Sequence, residues 1–152
     1  DSLLALIFHF GLAVVLFLNF GLAAMLFSLI IPVTLAHGLG SYLFYVQHNF
    51  PEATFEEKEG WTYIGAAMNS TSFLRLSKLM HWFTANIGYH HIHHANAKIP
   101  FYRLPEAFDA FPEFQNPKTS SLMPKDIIKC LQLKVWDPEL GRMLKRSELR
   151  ME

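Results

Sequence analysis

Residues 2–51, SLLALIFHFGLAVVLFLNFGLAAMLFSLIIPVTLAHGLGSYLFYVQHNFP, contain no Asp, Glu, Lys or Arg, and this stretch decides the fold. Of the charged side chains (13 + 13 = 26), all except Asp1 therefore lie in the last 101 of the 152 residues. A buried helix of a soluble protein runs about 10–14 apolar residues, whereas a membrane span needs about 20. The sequence therefore predicts two membrane spans rather than an ordinary soluble domain.

A turn is predicted between the two spans at residues 19–21, because Asn19 and Gly21 favour turn conformations. The spans are residues 3–18 and 22–47, and we expect Pro32 to kink the second. Both outer ends then lie on one side of the membrane, together with the charged remainder, whose Lys and Arg content indicates the cytoplasm. The predicted fold class is mainly α: a polytopic membrane protein with a transmembrane helical hairpin (residues 1–47) and a cytoplasmic helical cap (residues 48–152).

Within the cap, Thr71 and Ser72 are expected to cap a helix over residues 73–94. A short amphipathic helix is predicted at 105–114, another helix at 126–133, and a turn at 137–141. The net charge of zero leaves no basic surface of the kind that binds nucleic acid, so no nucleic-acid partner is expected. The chain begins with Asp1 rather than Met, so we expect a processed product or a piece of a longer protein.

Eight histidines are present, and four of them fall in the segment YHHIHH, residues 89–94. On an α-helix, His90, His93 and His94 share one face within an arc of about 100°. Neutral imidazole is the commonest protein ligand for transition metals. We therefore predict that these three histidines bind a metal. His48, at the end of the second span, is predicted as a further ligand.

The other histidines receive different interpretations. His91 and His81, together with Asn86, are candidates to support the ligands by hydrogen bonds rather than to bind metal. His9 and His37 lie inside the predicted spans, where structural or tunnel-lining roles are expected. No Asp or Glu occurs between Gly60 and Pro105, so any metal site in that segment is dominated by histidine.

Four strings carry a resemblance: FYVQHNF (44–50), WFTANIGYHHIHH (82–94), KIPFYRL (98–104) and KVWD (134–137). They resemble the membrane fatty acid desaturases, in particular the C-terminal half of bacterial acyl-lipid enzymes of Δ12 (omega-6) type. The resemblance implies a non-haem di-iron enzyme that uses O₂ and two electrons to introduce a double bond into a membrane-lipid acyl chain. The family's last histidine box maps onto His90, His93 and His94, and its span-end ligand onto His48.

The resemblance implies further partners and a location. The implied partners are an acyl-lipid substrate and an electron donor such as ferredoxin or a cytochrome b5-like carrier. The implied location is the bacterial inner membrane, with the histidine boxes on its cytoplasmic side. Aromatic side chains are candidates to line an acyl tunnel: Phe44, Tyr45, Trp82, Phe83 and Tyr89. The family's first two histidine boxes have no counterpart here. We therefore expect the chain to be a C-terminal fragment of a longer desaturase. Its set of iron ligands would be incomplete, so the isolated chain would be inactive.

Two other interpretations remain open at this point. The first is another histidine-box membrane oxygenase, such as an alkane or carotenoid hydroxylase, which would give a hydroxyl group instead of a double bond. The second is a small non-enzymatic membrane protein in which clustered histidines bind zinc.

Overall fold

The computed structural model describes residues 2–149, and the chain is mainly helical, with 64% of its residues in helices. The elements follow one another as α1 (Ser2–Met25), a π-helical turn (Leu26–Ile30), α2 (Ile31–His48), α3 (Tyr63–Asn69), β1 (Phe73–Arg75), α4 (Lys78–Phe83), α5 (His90–Ala95), α6 (Leu104–Ala110), β2 (Thr119–Ser121), α7 (Pro124–Gln132), β3 (Leu133–Asp137) and β4 (Arg142–Lys145). Within residues 2–149, 3₁₀ turns lie at Ile87–Tyr89, Phe101–Arg103, Pro112–Phe114 and, after β4, Arg146–Glu148.

The uncharged stretch is helical from Ser2 to His48 and is long and apolar enough to cross a membrane. The turn predicted at residues 19–21 is confined to Gly21, whose φ of +82° suits glycine and few other residues. Asn19 stays helical, and its side-chain amide donates to the carbonyl of Val15 at 2.8 Å. The hairpin geometry and the cytoplasmic position of the cap remain predictions.

Pro32 acts on the turn before it. In that turn, Leu26–Ile30, the helix widens from α to π geometry. Proline has no N–H to donate, and its ring crowds the carbonyl four residues earlier, here that of Ser28. A π-turn relieves this crowding by lengthening the hydrogen-bonded loop.

The chain divides into two compact units, residues 1–42 and residues 43–152. In the second unit, α3, α5, α6 and the turn after α6 enclose a core of Ala67, Ile92, Ala95, Leu104, Ala107 and Phe114. Ile92 is completely buried, so it fixes the short helix α5 against its neighbours. The sequence predicts a different boundary, at residue 47, between the transmembrane hairpin and the cytoplasmic cap. That boundary marks the membrane surface, and it remains a prediction.

The helix predicted over residues 73–94 is wrong. Residues 73–75 form β1, which pairs in parallel with β2 and places Leu74 opposite Ser120. Ala85 and Asn86 have positive φ values of 50° and 57°, which end α4 and separate it from α5. Gly88 then packs so closely that an added Cβ would meet the His81 ring and lie 2.6 Å from the carbonyl oxygen of Leu74.

The C-terminal predictions are closer to the structure. Helix α7 covers Pro124–Gln132, and the predicted turn at 137–141 joins β3 to β4 as an antiparallel hairpin. The helix predicted at 105–114 is divided, because α6 ends at Ala110 and Pro112 begins a separate 3₁₀ turn.

Candidate metal centre

Three of the predicted ligands converge. His48 is the last residue of α2, while His90 and His94 lie one turn apart on α5. The Nε2 atom of His90 is 2.9 Å from Nε2 of His48 and 3.1 Å from Nε2 of His94. One ring nitrogen from each of the three histidines lies within 4.8 Å of the others. We call these residues the histidine trio.

Packing on the opposite face of α5 holds the trio in place. Ile92 and Ala95 are buried in the core, so the α5 backbone cannot turn freely about its axis. A second restraint is Phe44, one turn before His48 on α2. Its ring centroid lies 4.8 Å from the His48 ring and 6.0 Å from the His90 ring.

The donor set of the trio fits a metal ion. A neutral imidazole carries one N–H and one free lone pair, so a single Nε2 atom serves one hydrogen-bond partner well. The Nε2 of His90 nevertheless faces two other ring nitrogens at hydrogen-bond distance. A cation that accepts all three lone pairs resolves this conflict.

The surroundings of His90 and His94 favour the neutral form of both imidazoles. Burial, together with the neighbouring imidazoles of His94, His48, His93 and His91, lowers the pKa of His90 to about 3. Partial desolvation and the neighbouring His93 ring also lower the pKa of His94, whose side chain is exposed at the surface. Metal binding requires the deprotonated imidazole, so near pH 7 no proton has to be displaced from these two rings.

His93 stands apart from the trio. It is exposed, and its ring stacks on that of His90 with centroids 5.8 Å apart and planes 21° apart. Its ring nitrogens are not among the three that converge. His93 instead lines a neighbouring cleft. Its role as a ligand remains a prediction.

The predicted supporting residues lie away from the ring nitrogens of the trio. The Nε2 atom of the fully buried His91 is 3.3 Å from the carbonyl oxygen of Phe114, and burial lowers the His91 pKa to about 4. The His81 ring stacks on that of Phe73. The Asn86 amide donates to the carbonyl of Phe101 at 3.0 Å. Within residues 2–149, none of the three predicted residues forms a hydrogen bond to the trio.

An apolar cleft of about 540 Å³ lies beside His90 and His93. Phe44 is the one predicted tunnel residue among those that line it. The sequence interpretation missed its other walls, which include Ile87, Ala97, Ile99, Pro100, Phe101 and Leu104. Most of these residues follow the histidine segment directly. The string KIPFYRL (98–104) contains four of them and could have indicated the cleft.

The other predicted tunnel residues have different surroundings. Trp82 and Phe83 are exposed, with 74% and 67% of their surfaces accessible. The Tyr45 hydroxyl donates to the carbonyls of Cys130 and Leu133. Tyr89 packs against the rings of Phe73, His81 and Phe108.

Comparison with known proteins identifies the family of the chain. The chain combines a helix long and apolar enough to cross a membrane with three histidines that could hold a metal ion. The model of the fatty acid desaturase family matches residues 2–122. A Bacillus subtilis (strain 168) protein named "Fatty acid desaturase" is 41% identical over 109 residues, which are 71% of this chain and 30% of that protein. The chain belongs to the fatty acid desaturase family.

Members of this family are membrane-associated oxidoreductases. The aligned part of the chain spans about 30% of the length of the curated relative it matches. No solved structure matches the chain significantly.

Proposed function

We propose that this chain supplies His48, His90, His93 and His94 to the di-iron centre of an O₂-dependent membrane fatty acid desaturase. The convergence of the trio at the end of an apolar helix, in a chain of this family, is the observation that supports the proposal. Two iron ions need more ligands than four histidines provide, so this chain would hold part of the set. The isolated 152 residues would therefore be inactive.

Iron supplies the oxidising power when bound, because no acid, base or nucleophile among the side chains can break an unactivated C–H bond. The chain's own residues would bind the iron and position the substrate. The trio presents neutral imidazoles, and the aliphatic and aromatic walls of the 540 Å³ cleft suit a hydrocarbon chain beside His90 and His93. We propose that an acyl chain of a membrane lipid occupies this cleft.

The proposed reaction balances as one CH₂–CH₂ unit, one O₂, two electrons and two protons giving one CH=CH unit and two waters. The electrons would come from a ferredoxin or a cytochrome b5-like carrier. We propose a transmembrane hairpin over residues 1–47 in a bacterial inner membrane, with the histidines on the cytoplasmic side. From the sequence resemblance, we propose that the new double bond forms at the Δ12 (omega-6) position of the acyl chain.

Product analysis tests this proposal. The protein is expressed from its complete gene in a bacterial host, and total fatty acids are analysed by gas chromatography and mass spectrometry. We expect a new double bond that depends on O₂ and that disappears in the His94→Ala variant. Hydroxylated products would instead indicate a hydroxylase. Bound zinc without any O₂-dependent product would indicate a non-enzymatic metal-binding protein.

A further inference from the structure

The position of His48 depends on what holds the end of α2. His90 and His94 share α5, whereas His48 lies 42 residues before His90, as the last residue of another helix. Helix ends fray, so the distance between His48 and the other two rings is only as fixed as this end of α2. The residues on either side of His48 are held by different parts of the fold.

Asn49 holds the chain after His48. Its side-chain amide donates to the carbonyl of Cys130 at 2.7 Å and to that of Leu133 at 3.3 Å. Tyr45, one turn earlier on α2, donates from its hydroxyl to the same two carbonyls at 3.3 and 3.4 Å. The Asn49 amide also donates to the Tyr45 hydroxyl. Two donors on one side of the helix end therefore meet at the same pair of carbonyls.

These carbonyls belong to the C-terminal end of α7, which covers Pro124–Gln132. Carbonyls in the last turn of an α-helix lack partners in a following turn, and they form the negative end of the helix dipole. An N–H donor is stabilised at such an end, whereas a carboxylate is repelled. Asparagine therefore suits position 49, while aspartate, which has nearly the same shape but only accepts hydrogen bonds when ionised, does not.

Gln47 holds the chain before His48. Its backbone carbonyl accepts a hydrogen bond from the N–H of Ser72 at 2.9 Å, directly before β1. Gln47 is fully buried, and Phe50, on the other side of His48, is only 1% exposed. The backbone of His48 is therefore fixed between two anchors, one toward β1 and one toward α7.

We propose that Asn49 is a positioning residue for the metal ligand His48. Its hydrogen bonds to the end of α7 fix the place where α2 ends, and with it the distance from the His48 ring to the rings of His90 and His94. Asn49 acts through His48 and does not contact the metal. This inference rests on the proposed function, in which the trio binds iron, and it gives α7 a part in building the metal centre.

The position of His48 is tested first without metal. Diethyl pyrocarbonate modifies accessible neutral imidazoles, and peptide mass spectrometry gives the rate at each histidine. In the iron-free protein from its complete gene, Asn49→Asp should raise the rate at His48 several-fold, while the rate at the fully buried His91 stays unchanged. The matched control Asn116→Asp makes the same change at an exposed position and should alter neither rate. Asn49→Ala, which removes the amide without adding charge, replaces Asn49→Asp if that variant does not fold.

Iron affinity is the second test, measured without O₂ by competition for Fe(II) with a chelator. Asn49→Asp should bind iron about 10–100-fold more weakly than the wild type, as expected when the support of a metal ligand is lost. The His48→Ala/Asn49→Asp variant should bind iron as His48→Ala alone does, because Asn49 acts only through His48. A general structural role of Asn49 would instead add its own effect to that of His48→Ala.

An unchanged rate at His48 in Asn49→Asp would overturn the proposal, and so would an equal effect of Asn116→Asp. Faster modification of His91 would indicate general loosening and also overturn it, as would an unchanged iron affinity or additive effects of the two substitutions. A wild-type protein that binds no iron would contradict the proposed function. The modification rates, which need no metal, would still decide whether Asn49 positions His48.

Discussion

The apolar helix of residues 2–42 and the folded unit from Leu43 onward use the same residue types in opposite ways. Leu18 and Phe20 in the helix are 74% and 70% exposed, whereas Leu74 and Phe50 in the folded unit are 0% and 1% exposed. Burial of a Leu or Phe side chain is worth about 1.5–3 kcal/mol. The many exposed apolar side chains of the helix would therefore be more stable in lipid than in water. This contrast supports the proposal that the helix, unlike the folded unit, lies in a membrane.

The histidines follow the same division. The Nδ1 atom of His9 lies 2.7 Å from the carbonyl oxygen of Ala5, so this ring is satisfied within its own helix. The Nε2 atom of His90 instead faces two other imidazole nitrogens. A satisfied histidine needs no further partner, whereas the trio gains from a bound cation. We therefore expect the two regions to respond very differently to the same substitutions.

The largest expected effect comes from removing the central imidazole of the trio. His90→Ala should lower desaturation by more than about 100-fold, because even residues that only support a metal ligand cost 10–100-fold when lost. Product formation in the expression host and the iron content of the purified protein measure the effect. Product within threefold of the wild type would remove His90 from the site.

Burial predicts the next effect. Ile92→Ala should lower the free energy of unfolding by about 2–5 kcal/mol, since Ile92 is completely buried between α5 and its neighbours. Denaturant titration in detergent measures this by tryptophan fluorescence, because Trp61, Trp82 and Trp136 all belong to the folded unit. The control Leu18→Ala, on the exposed helix, should leave the same transition unchanged. Equal effects of both substitutions would contradict the division between the regions.

Close packing at Gly88 predicts a smaller effect. Gly88→Ala should destabilise the folded unit by about 1–3 kcal/mol, because the new Cβ would lie 2.6 Å from a backbone oxygen that cannot move easily. Gly11→Ala is the matched control, since nothing lies within 4 Å of a Cβ at that position. The same fluorescence titration applies. An unaltered midpoint for Gly88→Ala would show that this approach is looser than described.

The smallest effect is expected in the apolar helix. His9→Ala should change the rate of product formation less than twofold, because the His9 ring contacts its own helix and lies outside the trio. Initial rates of product formation, normalised to protein amount, measure it. A tenfold loss would give His9 a functional part that the present account does not contain.

Local rules predicted much of this structure. The absence of charge over residues 2–51 correctly indicated apolar helix, but it predicted two spans where the structure has one long apolar helix, Ser2–His48, with a non-helical residue at Gly21. The spacing of His90 and His94 placed both rings on one face of a helix, since they lie one turn apart. His48 was also predicted as a ligand. It lies near these two rings because α2 ends beside α5.

Other features depend on contacts that the sequence pattern does not reveal. The continuous helix predicted over 73–94 failed because Ala85 and Asn86 adopt positive φ and because β1 pairs with β2, a strand more than 40 residues later. The cleft walls at Ile99, Pro100 and Phe101 were missed for the same reason. Their role follows from the tertiary position of the segment after α5, while their residue types alone indicate only a turn.

The most direct test of the central claim is the iron content of the protein with and without the trio. The protein from its complete gene is purified without O₂, loaded with Fe(II), and its iron per chain is measured by mass spectrometry for the wild type and for His48→Ala/His94→Ala. The account predicts bound iron in the wild type and a clear loss in the double variant, with an unchanged circular dichroism spectrum. Full retention of iron by the double variant would contradict the claim that His48, His90 and His94 bind metal together.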